Sequence, residues 1–244
     1  MAIDRRTFTL SSVGALGAMA LTPTAMAASP TINRRVVLAS RPTGKPTLDN
    51  FRFEDVAIPT VGEGQVLLKT KYLSLDPYMR GRMSAAKSYA APVEIGQVMV
   101  GGTVSEVVES RNAKFKQGEL VSSFSGWQSY EVSNGVGVMK LDPRIPKPSY
   151  ALGVMGMPGL TAYVGLMDIG EPKAGETVVL AASTGAVGSV VGQLAKAKGC
   201  RVVGIAGAKK KCEYAVKELG YDACVSHYDD DMAQQLAAQC PDGI

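Results

Sequence analysis

The sequence is short of the residues that most often carry metal and nucleophilic chemistry. It holds one histidine, His227, and four cysteines, Cys200, Cys212, Cys224 and Cys240. Residues 1–199 contain neither type. A Cys/His zinc site and a Ser-His or Cys-His nucleophile are therefore excluded from that stretch. No two cysteines form a CxxC pair, so a zinc ribbon is not expected. The four read as small buried apolar residues or surface thiols. No apolar run reaches the ~18 residues of a transmembrane helix. No Lys/Arg-rich block reaches the roughly five to eight residues of a nucleic-acid arm. The net charge of +4 is only mildly basic. Neither a membrane span nor a nucleic-acid partner is expected. With 46% hydrophobic and 20% charged residues, the chain is too apolar to be disordered. Its 244 residues fit one large domain or two small ones.

The first residues read as an address. Arg5 and Arg6 supply a positive start, residues 13–21 a short apolar stretch, and Ala25, Met26 and Ala27 an A-x-A cleavage site. Arg5 and Arg6 followed by Thr7, Phe8 and Leu10 resemble a twin-arginine signal. Residues 1–27 are expected to be a signal peptide, with the mature chain starting near Ala28. The expected location is the periplasm or outside the cell, with the cytoplasm as the alternative. After export the four thiols would meet an oxidising compartment, where pairing is possible.

Residues 35–40, 65–73, 98–108, 119–124 and 127–132 are rich in β-branched and aromatic residues, and Gly and Pro punctuate them. Many short strands with frequent turns suggest a small barrel or sandwich. The pattern changes after Pro148. Residues 149–169 suit a helix that Pro158 and Gly159 should interrupt. Strand and helix signals then alternate. Strands are expected at 177–181, 201–205 and 223–225, and helices at 185–198, 209–219 and 229–239. This βαβαβα order is the opening half of a doubly wound sheet.

Between the first of these strands and its helix stands AASTGAVG, residues 181–188. A dinucleotide turn has the form G-x-G-x-x-G. Ser183, Gly185 and Gly188 fill the three positions, so the first glycine is missing. The context strengthens the match, because the turn follows a buried strand and opens an amphipathic helix. Gly185 would admit a pyrophosphate to the backbone, and Gly188 would let helix and strand pack closely. The helix N-terminus offers free N–H groups to the anion. An NAD site places an acid about 20 residues past the turn. Here the stretch 206–211 reads AGAKKK, and the next acid is Glu213. Lysines at that place attract a 2′-phosphate, where a carboxylate would repel it. The expected cofactor is NADP(H).

Several runs carry a family resemblance: NRR at 33–35 with LASRP at 38–42, LSLDPYMRGRM at 73–83, GMPGLTAY at 156–163, and the glycine turn through Gly192 and Gln193. Together they resemble the zinc-independent medium-chain dehydrogenases/reductases, in the branch of NADPH-dependent curcumin reductases and prostaglandin-reductase-like double-bond reductases. The resemblance runs from about Asn33 to Ile244. It implies a mixed β and α/β fold: a GroES-like β-barrel substrate domain over residues 33–148, then an incomplete NADP-binding Rossmann domain over 149–244. It implies hydride transfer, without zinc, to the C=C bond of an α,β-unsaturated ketone or aldehyde, or to a quinone. Carried over residue by residue, Gly185, Ala186, Val187 and Gly188 match the diphosphate turn, and Lys211 the lysine on the 2′-phosphate. His227 stands where many members have a tyrosine on that phosphate, with Tyr228 beside it. Tyr78 and Tyr89 resemble pocket tyrosines, able to donate to an enone oxygen or protonate the α-carbon. A homodimer is the expected assembly at full length.

The family's chain is longer. Only three Rossmann strands are expected here, without the residues that normally flank the nicotinamide. The alternative reading is therefore a non-catalytic remnant that binds nucleotide weakly or not at all. A third is a structural protein on the reductase fold, since fold alone does not fix function.

Overall fold

Strands β1 (Ile32–Leu38) and β2 (Phe51–Ala57) form an antiparallel ribbon. The sequence pattern does not announce β2, in which apolar and charged residues are mixed. Arg34 sits opposite Asp55 and Arg35 opposite Glu54, and both pairs close ion pairs, at 2.9 and 2.8 Å. The structure, a computed structural model, describes residues 32–244, so the expected signal segment lies outside the described residues.

Strands β3 (Val66–Leu73), β4 (Thr103–Ser110), β5 (Leu120–Ser123), β6 (Tyr130–Ser133) and β7 (Met139–Lys140) build an antiparallel sheet in the order β6-β3-β4-β5-β7. Val66, Leu68, Val107, Phe115 and Val121 fill its core. The strand expected from residue 98 begins only at Thr103. Residues 98–102 run past β1 instead: Met99 N–H donates to Val36 O at 3.0 Å, and Met99 O accepts from Trp127 N–H at 2.8 Å. A short helix, α1 (Tyr78–Arg82), follows β3 and buries Met79 among Leu38, Met83, Val93 and Met99.

A 3₁₀ turn over Pro148–Leu152 leads to α2 (Met157–Tyr163), which continues as a π-helix over Val164–Gly170. Pro158 does not interrupt the helix. It sits in the first turn, where its missing N–H has no helical partner to lose. The break falls just before it, at residues 153–156.

The alternating part follows the expected order: β8 (Thr177–Leu180), α3 (Ala186–Ala197), β9 (Arg201–Ala206), α4 (Lys209–Lys217), β10 (Ala223–Ser226) and α5 (Met232–Gln239). The strands are parallel, in the order β10-β9-β8. Leu166, Ala195, Val202, Ala215, Leu219 and Tyr221 form their core. Among the described residues β8 pairs with β9 alone, so its other edge carries no strand. Asp222 accepts from Lys196 Nζ at 2.8 Å and from Val202 N–H at 2.7 Å, which ties α3 to the start of β9.

Two cysteines depart from the expected roles. Cys212 on α4 and Cys224 on β10 are joined by a disulfide, with α carbons 5.0 Å apart. Cys200 is a buried thiol and Cys240 a half-buried one. The pairing is invisible in the spacing, because packing of α4 on β10 brings the two together.

Candidate active site

The glycine turn is built as a tight strand-to-helix corner. Ala182 takes a left-handed conformation, φ 49°, and Gly185 N–H donates to its carbonyl at 2.8 Å. Gly185 caps α3, and no side chain occupies the cap. The first N–H groups of the helix, on Ala186, Val187 and Gly188, thus remain available to an anion. A Cβ on Gly188 would come within 2.5 Å of Ala182 O, so the close approach requires glycine. Ser183 stands in place of the first glycine of the motif, and a second glycine compensates. Its buried side chain lies over Gly204 of β9, where a Cβ would meet Ser183 Oγ at 2.8 Å.

Sequence reasoning missed Tyr221. Its phenol oxygen lies 2.7 Å from Gly188 O and 3.0 Å from Ser183 O, so its one proton serves both sides of the turn. Burial pushes this phenol up to about 12, against a small opposing effect of a backbone contact with Gly192. The available signal was Gly192. A glycine inside a helix costs about 1 kcal/mol relative to alanine and hints at close packing.

The carboxyl ends of β9 and β10 meet beside this turn, as they must in a parallel sheet. Gly207 follows β9, and a Cβ there would come 3.2 Å from His227 Cε1 and 3.4 Å from Tyr228. The two rings stack edge to face, with centroids 4.4 Å apart. Lys209, Lys210 and Lys211 open α4 and are exposed. Among the described residues no carboxylate pairs with any of them. Unpaired ammonium groups, an adjacent imidazole and bare helix N–H groups form a donor set that fits a phosphorylated dinucleotide.

A separate cavity of about 570 Å³ lies among the strands and α2. Phe124, Met139, Ile145, Leu152 and Leu160 supply apolar walls, and Ser74, Asp76, Tyr78, Lys140 and Asp142 are among its polar lining residues. Tyr78 is half-buried at the start of α1. Burial first, and Asp76 second, push its phenol above the ordinary tyrosine value, while Arg82 opposes them. Tyr78 therefore stays protonated at neutral pH and can donate. Tyr89 is 87% exposed in the segment after α1 and is not among the residues lining the cavity. Among the described residues no group of three or more His, Cys, Asp or Glu is arranged to hold a metal ion.

A barrel-type antiparallel domain followed by a parallel sheet that opens on a glycine turn is the layout of a medium-chain dehydrogenase/reductase. Two family models match: the N-terminal domain of oxidoreductase over residues 34–141, and zinc-binding dehydrogenase over residues 186–244. The NADPH-dependent curcumin reductase of Escherichia coli is 59% identical over 212 residues, 87% of this chain and 61% of the relative. Prostaglandin reductase 1 of Mus musculus is 45% identical over 204 residues, 82% of this chain and 60% of the relative. The crystal structure of CurA in complex with NADPH from Vibrio vulnificus superposes with a TM-score of 0.83 at 59% identity, covering 86% of this chain and 63% of that one. The chain belongs to the zinc-independent medium-chain dehydrogenases/reductases, in the curcumin reductase and prostaglandin reductase branch, with a GroES-like domain followed by a partial Rossmann domain. It spans about three-fifths of the length of the curated relatives it matches.

Proposed function

We propose that this chain serves an NADPH-dependent reductase acting on the C=C bond of α,β-unsaturated ketones and aldehydes, or on quinones, without zinc. The observation that carries the reading is a largely apolar cavity with one phenol, that of Tyr78, in its lining. NADPH, when bound, supplies the hydride. The chain's own residues do the rest. The first turn of α3, at Gly185, Ala186, Val187 and Gly188, holds the diphosphate. Lys211 and His227 grip the 2′-phosphate and set the preference over NADH. Tyr78 donates a hydrogen bond to the substrate carbonyl oxygen and stabilises negative charge as it develops there. The walls formed by Phe124, Met139 and Leu160 exclude water and take up the apolar body of the substrate.

The test uses this chain extended with the C-terminal portion of a curcumin reductase relative. NADPH consumption is followed with a panel of enones and quinones, and the affinities of NADPH and NADH are measured separately. Lys211→Ala should weaken NADPH by roughly tenfold to a hundredfold, the weight of a charge-assisted contact, and leave NADH unchanged. Equal binding of the two dinucleotides by the unmutated protein would overturn the assignment.

A second reading, nucleotide binding without turnover, is supported by one observation. The cavity draws no lining residue from 177–244. Binding of NADPH with no consumption of any enone or quinone by the extended protein would favour it.

We also propose export by a twin-arginine route, on the Arg5 and Arg6 pattern. Replacing both arginines by lysine should keep the protein in the cytoplasm on fractionation, whereas the unmodified chain should be exported and begin near Ala28. A cytoplasmic location for both forms would refute this.

A further inference from the structure

The Cys212–Cys224 disulfide joins the two elements that carry the cradle for the 2′-phosphate. Lys209, Lys210 and Lys211 open α4 immediately before Cys212, and β10, which holds Cys224, ends at Ser226 just before His227 and Tyr228. Little else holds the start of α4. Its cap residue, Ala208, offers no side-chain hydrogen bond, and its first turn has no acid. Three lysines instead face the positive end of the helix dipole, which is unfavourable. Ala215 is the one buried residue along the helix. Cys224 Sγ also lies 4.0 Å from Ser183 Oγ, under the glycine turn. Both cysteines are among the residues lining a second cavity of about 370 Å³, with Lys209, Glu213, Ser226 and Asp229.

We infer that the Cys212–Cys224 bond is a redox-sensitive clasp on the 2′-phosphate cradle. Closed, it keeps the first turn of α4, with Lys211, against the end of β10, with His227. Open, that uncapped and lysine-rich turn frays, and the advantage of a phosphorylated ribose falls. The chemistry balances as thiol–disulfide exchange with a dithiol. The protein S–S bond breaks, each cysteine sulfur gains one electron and one proton, and the dithiol loses the same and closes its own disulfide. The inference rests on the NADP(H) reading above.

The test needs only the adenosine half of the cofactor, and it uses the chain extended at its C-terminus as above, with a cysteine-free extension. Oxidised and dithiol-treated protein are titrated calorimetrically with 2′,5′-ADP and with 5′-AMP, which lacks only the 2′-phosphate, and reactive thiols are counted under denaturing conditions. Two thiols, Cys200 and Cys240, are expected in the oxidised form, and all four cysteines after reduction. Reduction should weaken 2′,5′-ADP roughly tenfold, about one charge-assisted contact, and leave 5′-AMP nearly unchanged. Cys212→Ser should match the reduced form. Should that variant fail to fold, dithiol-treated wild-type protein with unchanged far-ultraviolet circular dichroism carries the comparison. Unchanged 2′,5′-ADP affinity with the thiol count risen from two to four would overturn the clasp and leave the NADP(H) reading standing. Equal affinity for 2′,5′-ADP and 5′-AMP in both forms would overturn that reading, and the clasp with it. Four reactive thiols in oxidant-treated protein would show that the clasp does not form.

Discussion

Tyr221 occupies the space that Gly192 leaves open: any Cβ on Gly192 would overlap its ring. From that position the phenol reaches back to Gly188 O at 2.7 Å. A residue at the end of the α4–β10 link thereby stiffens the turn between β8 and α3.

Tyr221→Phe should destabilise the protein by about 1–2 kcal/mol, the weight of one buried hydrogen bond, read as a lower thermal midpoint. Gly192→Ala should cost more, about 1–3 kcal/mol, because an overpacked core must shift. The Tyr221 phenol is raised from 10.0 to about 12 in the folded state. Its contribution is complete below the unfolded value and is lost as pH rises through the folded one. Wild-type stability should therefore fall between pH 10.0 and about 12 more steeply than that of Tyr221→Phe. Identical alkaline profiles would refute the role.

Asp222 gives the acid counterpart. Burial pushes its carboxyl up, but Lys196, the Val202 N–H and nearby Arg201 outweigh that and hold it below the ordinary aspartate value. Its contribution is present above the unfolded value and disappears as pH falls through the lower folded value. Asp222→Asn should lose roughly 1 kcal/mol at neutral pH, the weight of a hydrogen bond to a charged group discounted for solvent screening at an exposed residue. The difference from wild type should shrink in acid. A constant difference at all pH values would exclude the ionised carboxylate as the cause.

Tyr78→Phe, in the extended protein, should lower kcat by roughly tenfold to a hundredfold with little change in KM, because the lost bond strengthens only as charge develops. The raised Tyr78 value places loss of the donor above the ordinary tyrosine value of 10.0, so activity should hold through neutral pH. A variant with wild-type kcat would remove Tyr78 from the chemistry.

The outer edge of β8 predicts behaviour in solution. Thr177–Leu180 presents a row of backbone donors and acceptors with no strand beside it among the described residues. Such an apolar edge promotes association. A polypeptide of these 244 residues alone should be poorly soluble or oligomeric in sedimentation and should show no enone reduction. The extended protein should be soluble and active. Monodisperse monomer with robust turnover from the 244-residue polypeptide would contradict this.

How much of this was legible in the sequence differs from element to element. The order β8-α3-β9-α4-β10-α5 follows from local periodicity, since apolar stripes recur with the period of each element. The glycine turn and the lysines after β9 are contiguous in the chain, so their chemistry reads directly from their order. The family resemblance rests on contiguous runs as well. β2 was obscured because its partnership with β1 is written in opposite charges spread over two segments. The place of Pro158 depended on where the helix began, which one residue type does not specify.

Only the tertiary structure decided the remainder, because each feature joins residues far apart in the chain. Ser183 tolerates a glycine's place because Gly204, on another strand, leaves room for its side chain. Cys212 and Cys224 pair because α4 packs on β10. The Tyr78 phenol is raised above its ordinary value because burial in the folded chain and Asp76 act on it together. Local sequence sets the elements and the chemical groups they carry. Packing sets the distances between those groups, and electrostatic and steric effects depend on distance.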